Sequence, residues 1–176
     1  MTNAPAVIDD LGLPAPRASC GAQWELIRDG VMGGCSTGAM RRETVAGRPA
    51  VRLTGDVSLE NNGGFVQIAL DLREDGGPVD ASGWTGIALD VHGNGEVYNL
   101  HLRTADVVRP WQSYRAGFRA PPVWTTVQLP FTGFEAHRVE APFDLRRLRR
   151  LSIVAIGRAF AVDVAVGAVR FYRAAD

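Results

Sequence analysis

The sequence predicts an all-β fold, two antiparallel sheets packed face to face as a jelly-roll sandwich. Three observations carry that prediction. Glycine and proline break the chain at short intervals: Gly33-Gly34, Gly47, Gly55, Gly63-Gly64, Gly76-Gly77-Pro78, Gly93-Asn94-Gly95, Pro121-Pro122, Gly133 and Gly157. Such punctuation bounds strands more naturally than helices. Between the breaks apolar residues recur with period two, the signature of a strand with one face in a core. A single stretch alone has helical spacing. About ten strands with almost no helix leave sheet-on-sheet packing as the way to bury the apolar faces.

Taken in order, residues 1–21 carry Pro5, Gly12, Pro14 and Pro16 with little periodicity and read as an extended lead-in, either packed on the domain or mobile. Residues 22–176 form the single sandwich domain, its body starting near Trp24. Ala39 to Glu43 reads as a strand. Ile87, Leu89 and Val91 alternate with Ala88 and Asp90, and Tyr98, Leu100 and Leu102 with Asn99, His101 and Arg103. Gly93-Asn94-Gly95 between these two runs reads as a hairpin turn. Leu145, Leu148 and Leu151, after Asp144 as an N-cap, predict a helical turn or two with Arg146, Arg147, Arg149 and Arg150 outside. In the last run Phe160, Val162, Val164 and Val166 share one parity and Val169 and Phe171 the other, so a β-bulge is expected at Gly167-Ala168.

Composition narrows the function. The 176 residues are 46% hydrophobic and 22% charged, with a formal net charge of +0 and a pI near 6.8, so no global positive field draws in nucleic acid or an anionic membrane. All nineteen basic residues are arginine, which reads as genome composition. The N-terminal stretch lacks an apolar run of signal or membrane-span length, and the expectation is a cytoplasmic protein without membrane insertion. Cys20 and Cys35 suffice for neither a disulfide framework nor a zinc site. His92, His101 and His137 lie on separate segments, so no metal and no cofactor is expected.

Each candidate motif also has a plainer structural account. Gly34-Cys35-Ser36-Thr37-Gly38 fits G-x-S-x-G, but a nucleophile elbow needs a strand turning into a helix, and a strand follows here. No base is placed beside Ser36 or Cys35, so catalysis is not expected. Glu74, Asp75 and Asp80 offer calcium ligands on a loop, with a solvated turn as the simpler account. A richer set is Asn99, His101 and Arg103 on one strand, followed by Trp111, Gln112 and Tyr114. If their strands are neighbours, they form a patch able to stack and hydrogen-bond a sugar or a peptide. The alternative is a polar outer face with Trp111 tucked under a loop.

Two glycine-rich blocks go further. Trp24 to Ser36 contains Asp29-Gly30-Val31-Met32-Gly33-Gly34-Cys35-Ser36, and Gly55 to Phe65 contains Ser58-Leu59-Glu60-Asn61-Asn62-Gly63-Gly64-Phe65. With Trp84, Gly86, Tyr98, Arg103, Trp124 and Leu129-Pro130-Phe131, they resemble the complex I intermediate-associated protein family over about residues 22–173. The resemblance implies a galactose-binding-like sandwich and a chaperone role in assembling respiratory NADH:ubiquinone oxidoreductase, hence a protein partner such as a respiratory complex subunit. The chain looks like a stand-alone bacterial form, and Glu96-Val97 departs from the arginine common in the family. In physical terms, Gly33, Gly34, Gly63 and Gly64 give backbone freedom, and Asp29, Ser36, Glu60, Asn61 and Asn62 can cap the loose N–H groups beside Phe65. The blocks therefore either brace two loops or form a binding rim. The expectation is a non-catalytic binding or assembly-assisting domain, with a carbohydrate-binding module as the alternative.

Overall fold

The computed structural model describes residues 3–175. The side chain of Asn62 lies outside the described residues. The strands are β1 (Val7–Asp9), β2 (Glu25–Arg28), β3 (Thr37–Val45), β4 (Arg48–Val57), β5 (Phe65–Asp71), β6 (Gly86–Gly93), β7 (Val97–Thr104), β8 (Ser113–Arg119), β9 (Thr125–Pro130), β10 (Glu135–His137), β11 (Leu148–Ile156) and β12 (Phe160–Tyr172). They form two antiparallel six-stranded sheets, in the order β3-β4-β12-β6-β9 with β1 added on β12, and β10-β8-β7-β11-β5-β2. This is the jelly-roll sandwich the alternation predicts. Helical residues are confined to four short 3-10 turns among the described residues.

The core lies between the sheets and is built from the apolar parity of each strand. Ile87, Leu89 and Val91 of β6 face Tyr98, Leu100 and Leu102 of β7 across it, all fully buried. Burying such side chains contributes about 1.5–3 kcal/mol each relative to exposure. β3 and β4 join through Ala46 and Gly47, whose φ values of 45° and 82° are the left-handed pair that a two-residue hairpin turn requires. Residues 3–21 pack onto the sandwich. Ile8 and Ala18 enter the core, and the buried Asp9 carboxylate accepts the Trp24 indole N–H at 2.8 Å.

The bulge in β12 lies where the parity flips. Val166 pairs with Val91 and Val169 with Leu89, so three steps on one strand match two on the other. A second bulge corrects the helical reading of 145–151. Only Leu145–Arg147 forms a 3-10 turn, with the Asp144 side chain accepting from the Arg146 amide; Leu148 already begins β11. Between Leu148 and Arg150 the register against β7 slips by one, so Leu148 and Leu151 both point inward despite their spacing of three. Gly93-Asn94-Gly95 also differs from expectation. β6 and β7 belong to different sheets, so this turn carries the chain across the sandwich. Asn94 pins it, donating to the Ala161 carbonyl at 2.9 Å and accepting from the Tyr98 hydroxyl at 2.7 Å.

Candidate functional site

The two glycine-rich blocks meet at one end of the sandwich, where β2 and β5 of one sheet come beside β3 and β4 of the other. Asp29 is fully buried there. Its Oδ1 accepts the Ser36 amide at 3.0 Å, and its Oδ2 accepts the Ser36 hydroxyl at 2.6 Å and the Gly64 and Phe65 amides at 2.6 and 3.3 Å. Burial alone would raise the Asp29 pKa; these hydrogen bonds outweigh it and hold the carboxyl below the ordinary aspartate range. The glycines make room for the carboxylate. A Cβ on Gly34 would sit 2.4 Å from Asp29 Cγ, and one on Gly63 2.5 Å from Oδ2.

This node ties the sheets together and consumes its own polar groups. Ser36 Oγ, besides donating to Asp29, accepts the Ser58 amide at 2.9 Å, and no histidine is among its partners. Glu60 and Asn61 form the short turn above it, and the Asn61 amide reaches Cys35 Sγ at 3.4 Å. Cys35 is exposed and Cys20 half-buried, and both are free thiols. Asp75 is taken up by Arg73 and the Gly77 amide, and Asp80 by Ser82. Among the described residues no three His, Cys, Asp or Glu side chains converge as metal ligands, and no helix is long and apolar enough to cross a membrane.

The polar patch falls on the outward face of the β10-β8-β7-β11-β5-β2 sheet. Alternation along β7 sends Asn99, His101 and Arg103 to that face, where the register sets rows across the strands. Arg115 of β8, His101 and Ser152 of β11 form one row; Gly117, Asn99, Val154 and Gln67 of β5 form the next; Arg103, Arg150 and Asp71 form a third. His101 is only 8% exposed, and its Nε2 is buried without a hydrogen-bond partner. Burial, then the neighbouring Arg115 and His137, push its pKa down to about 3, so the ring is neutral at physiological pH.

The arginines on this face differ sharply. Arg150 is paired with Asp71 at 2.6 Å and Glu25 at 2.7 Å, and these bonds outweigh burial to raise its pKa. Arg103 reaches only backbone, the Val107 and Arg109 carbonyls at 3.4 and 3.2 Å, and its buried Nε has no partner. Arg115 donates through Nε to the Ser113 hydroxyl at 2.8 Å. Among the described residues neither Arg103 nor Arg115 has an acidic partner. Burial lowers the pKa of both, helped by Arg149 and Arg150 at Arg103, where Asp71 pulls weakly the other way, and by Arg138 at Arg115.

Three residues expected in the patch lie off its outward strand face. Tyr114 is a correction: it is 2% exposed, faces inward opposite Leu102, stacks on Phe143 at 4.2 Å and donates to the Ala141 carbonyl at 2.7 Å. Trp111 and Gln112 lie in the loop before β8. Trp111 is 52% exposed with the Arg109 guanidinium 5.9 Å from its ring, and Gln112 fastens the loop to the Arg138 carbonyl at 2.8 Å. Sequence reasoning missed Arg115, although the alternation of Tyr114, Ala116 and Phe118 with Arg115, Gly117 and Arg119 places it outward. Ser152 is hidden within the apolar run Leu151–Ile156 and gives no such signal.

The sequence profile of the family described as complex I intermediate-associated protein 30 matches residues 17–166. No protein of curated function matches the sequence. Among solved structures, a family 11 carbohydrate-binding module from Clostridium thermocellum, in complex with a β-1,3-1,4-mixed-linked tetrasaccharide, superposes with a TM-score of 0.75 at 12% identity over 97% of this chain and 96% of its own. The family 11 module of the Clostridium thermocellum cellulase Lic26A-Cel5E gives 0.76 at 11% identity over 100% and 98%. A family 30 carbohydrate-binding module of a Clostridium thermocellum cellulosomal cellulase gives 0.60 at 17% identity over 100% and 96%. At these identities the likeness is one of fold.

Proposed function

This chain belongs to the complex I intermediate-associated protein 30 family, and we propose that it is a non-catalytic docking module that holds another protein against the outward face of the β10-β8-β7-β11-β5-β2 sheet. One observation carries the reading: His101 Nε2 and Arg103 Nε, both on that face, are buried without partners, whereas the motif residues around Asp29 are spent on internal bonds. Leaving a buried polar group unsatisfied costs about 1–3 kcal/mol, so partly satisfied groups on one surface mark where a ligand completes the bonding. The association with complex I intermediates that the family description names then takes the form of holding a partner on this face. Ser36, engaged by Asp29 and Ser58, supports the non-catalytic part of the proposal.

A second reading is a carbohydrate-binding module. The half-exposed Trp111 ring, in the loop before β8 and faced by Arg109, favours it, together with the shared sandwich fold. One experiment separates them. A photo-cross-linking amino acid in place of Asn99, in cells of the native host, should yield a discrete protein adduct that the same label at Arg41 on the other sheet does not. No adduct at Asn99, together with a saturable rise in melting temperature on adding neutral oligosaccharides that Trp111→Ala abolishes, overturns protein docking and installs the sugar reading.

A further inference from the structure

We propose that the docked partner presents an extended acidic segment whose carboxylates, at alternate positions, seat on Arg103 and Arg115. The inference rests on the docking reading above and adds the chemistry of the partner. The two outward faces of the sandwich handle charge differently. On the β3-β4-β12-β6-β9 sheet the half-buried Arg52 is matched, binding Glu43 at 2.6 Å and Asp163 at 2.7 Å, and Arg48 and Arg170 flank Asp90 at 3.7 and 3.6 Å, while Arg41 on the edge strand makes no ion pair among the described residues but is exposed to solvent. On the opposite sheet Arg150 is matched, but Arg103 and Arg115, both half-buried, form no ion pair among the described residues; Glu135 of β10 stands opposite Arg115 with its carboxylate beyond ion-pair range. A guanidinium stays charged inside a protein, so a half-buried one lacking a counter-ion is destabilised until an anion arrives. His101 between them is neutral and adds hydrogen bonding without charge.

Register fixes the spacing. Arg115 lies opposite His101, and Arg103 is two residues further along β7. Such diagonal neighbours are about 7–8 Å apart, close to the roughly 7 Å between alternate side chains on one side of an extended chain. Arg and carboxylate groups also pair bidentately, which favours the match over a diffuse attraction. The strands themselves disfavour an acidic sugar. Their outward positions display no tyrosine or tryptophan on which a pyranose ring could stack, and Trp111 stands off the sheet in its loop, already faced by Arg109.

The test uses the purified chain and two capped peptides of equal charge, Glu-Ser-Glu-Ser-Glu and Glu-Glu-Glu-Ser-Ser, by titration calorimetry at low salt, with trigalacturonate as the acidic glycan. The alternating peptide should bind more tightly, and Arg103→Gln and Arg115→Gln should each weaken it roughly tenfold while Arg41→Gln leaves it unchanged. Glutamine keeps part of the side-chain stem, and a melting temperature matching the unmodified chain shows that each variant is folded. Equal affinity for both peptides, binding indifferent to Arg103 and Arg115, or trigalacturonate bound in their place overturns the proposal. Silent peptides with the Asn99 cross-link intact remove the acidic segment and leave the docking face standing. Silent peptides with no cross-link remove both.

Discussion

Replacing Asp29 by asparagine changes one atom and removes one charge, so it isolates what the carboxylate does where the two glycine-rich blocks meet. In the native chain all of its described partners donate: the Ser36 amide to Oδ1, and the Ser36 hydroxyl and the Gly64 and Phe65 amides to Oδ2. An asparagine carries a donor in place of one oxygen. Turned either way, its NH2 meets a backbone N–H. The less costly orientation gives up the Ser36 amide, an orphaned donor worth about 1–3 kcal/mol, and turns the two short charge-assisted bonds at Oδ2, from the Ser36 hydroxyl and the Gly64 amide, into neutral ones, losing about 1 kcal/mol each. The sum is about 3–5 kcal/mol, a large part of the roughly 5–15 kcal/mol that holds a domain folded. For a chain of this size it corresponds to a fall in melting temperature of roughly 6–20 °C. Thermal melts followed by circular dichroism, with urea unfolding to show an unchanged m-value, are the assay. Because the folded-state pKa is depressed, the native advantage is present in full above the ordinary aspartate value and is lost as pH falls through the lower folded one. The gap between native chain and variant should therefore close below about pH 4. A drop of less than about 3 °C at neutral pH would show that Asp29 is not the brace described here.

His101 titrates near 3 when folded against an ordinary 6.5; the unfolded chain then takes up a proton that the folded one refuses, so stability falls as pH drops below about 7, by up to roughly 5 kcal/mol near pH 3. His101→Asn should flatten that part of the pH–stability curve, and an unchanged curve refutes the assignment. Gly55→Ala places a Cβ 2.0 Å from the Thr37 carbonyl oxygen at a φ of 152°, and the urea midpoint should show a loss of about 3 kcal/mol or more; a change under about 1 kcal/mol contradicts it. Tyr114→Phe gives up only the hydroxyl bond to Ala141, so about 1 kcal/mol of stability should go with peptide binding untouched. Weakened binding would return Tyr114 to the site.

Where alternation was clean, the sequence was legible. Tyr98, Leu100 and Leu102 turn inward and Asn99, His101 and Arg103 outward because period two is a property of the extended backbone itself. The parity flip at Gly167-Ala168 was readable for the same reason. The equivalent irregularity near Leu148 was not, because an extra residue between two inward leucines produces a spacing of three that a helix also produces. Sheet membership is equally hidden in local pattern. Gly93-Asn94-Gly95 has hairpin composition, and only long-range pairing of β6 with β12 and of β7 with β11 turns it into a crossing between sheets. In the patch, Tyr114 follows Trp111 and Gln112 so closely that only the start of β8 at Ser113, which no local signal marks, sends it inward. The unpaired state of Arg103 and Arg115 depends on which strands adjoin theirs.

The bulge in β12 makes Gly167-Ala168 the point at which this strand can change length. Removing one residue there would leave Val166 and Val169 two apart, so ordinary alternation would still hold Val169 and Phe171 in the core and Arg170 outside. Strand β1, paired to β12 at Val169 and Arg170, would keep its alignment. Removing Ala165 instead would make Val164 and Val166 adjacent and turn one of them to solvent. A single-codon deletion is therefore absorbed at one point of β12 and disruptive along its regular ladder.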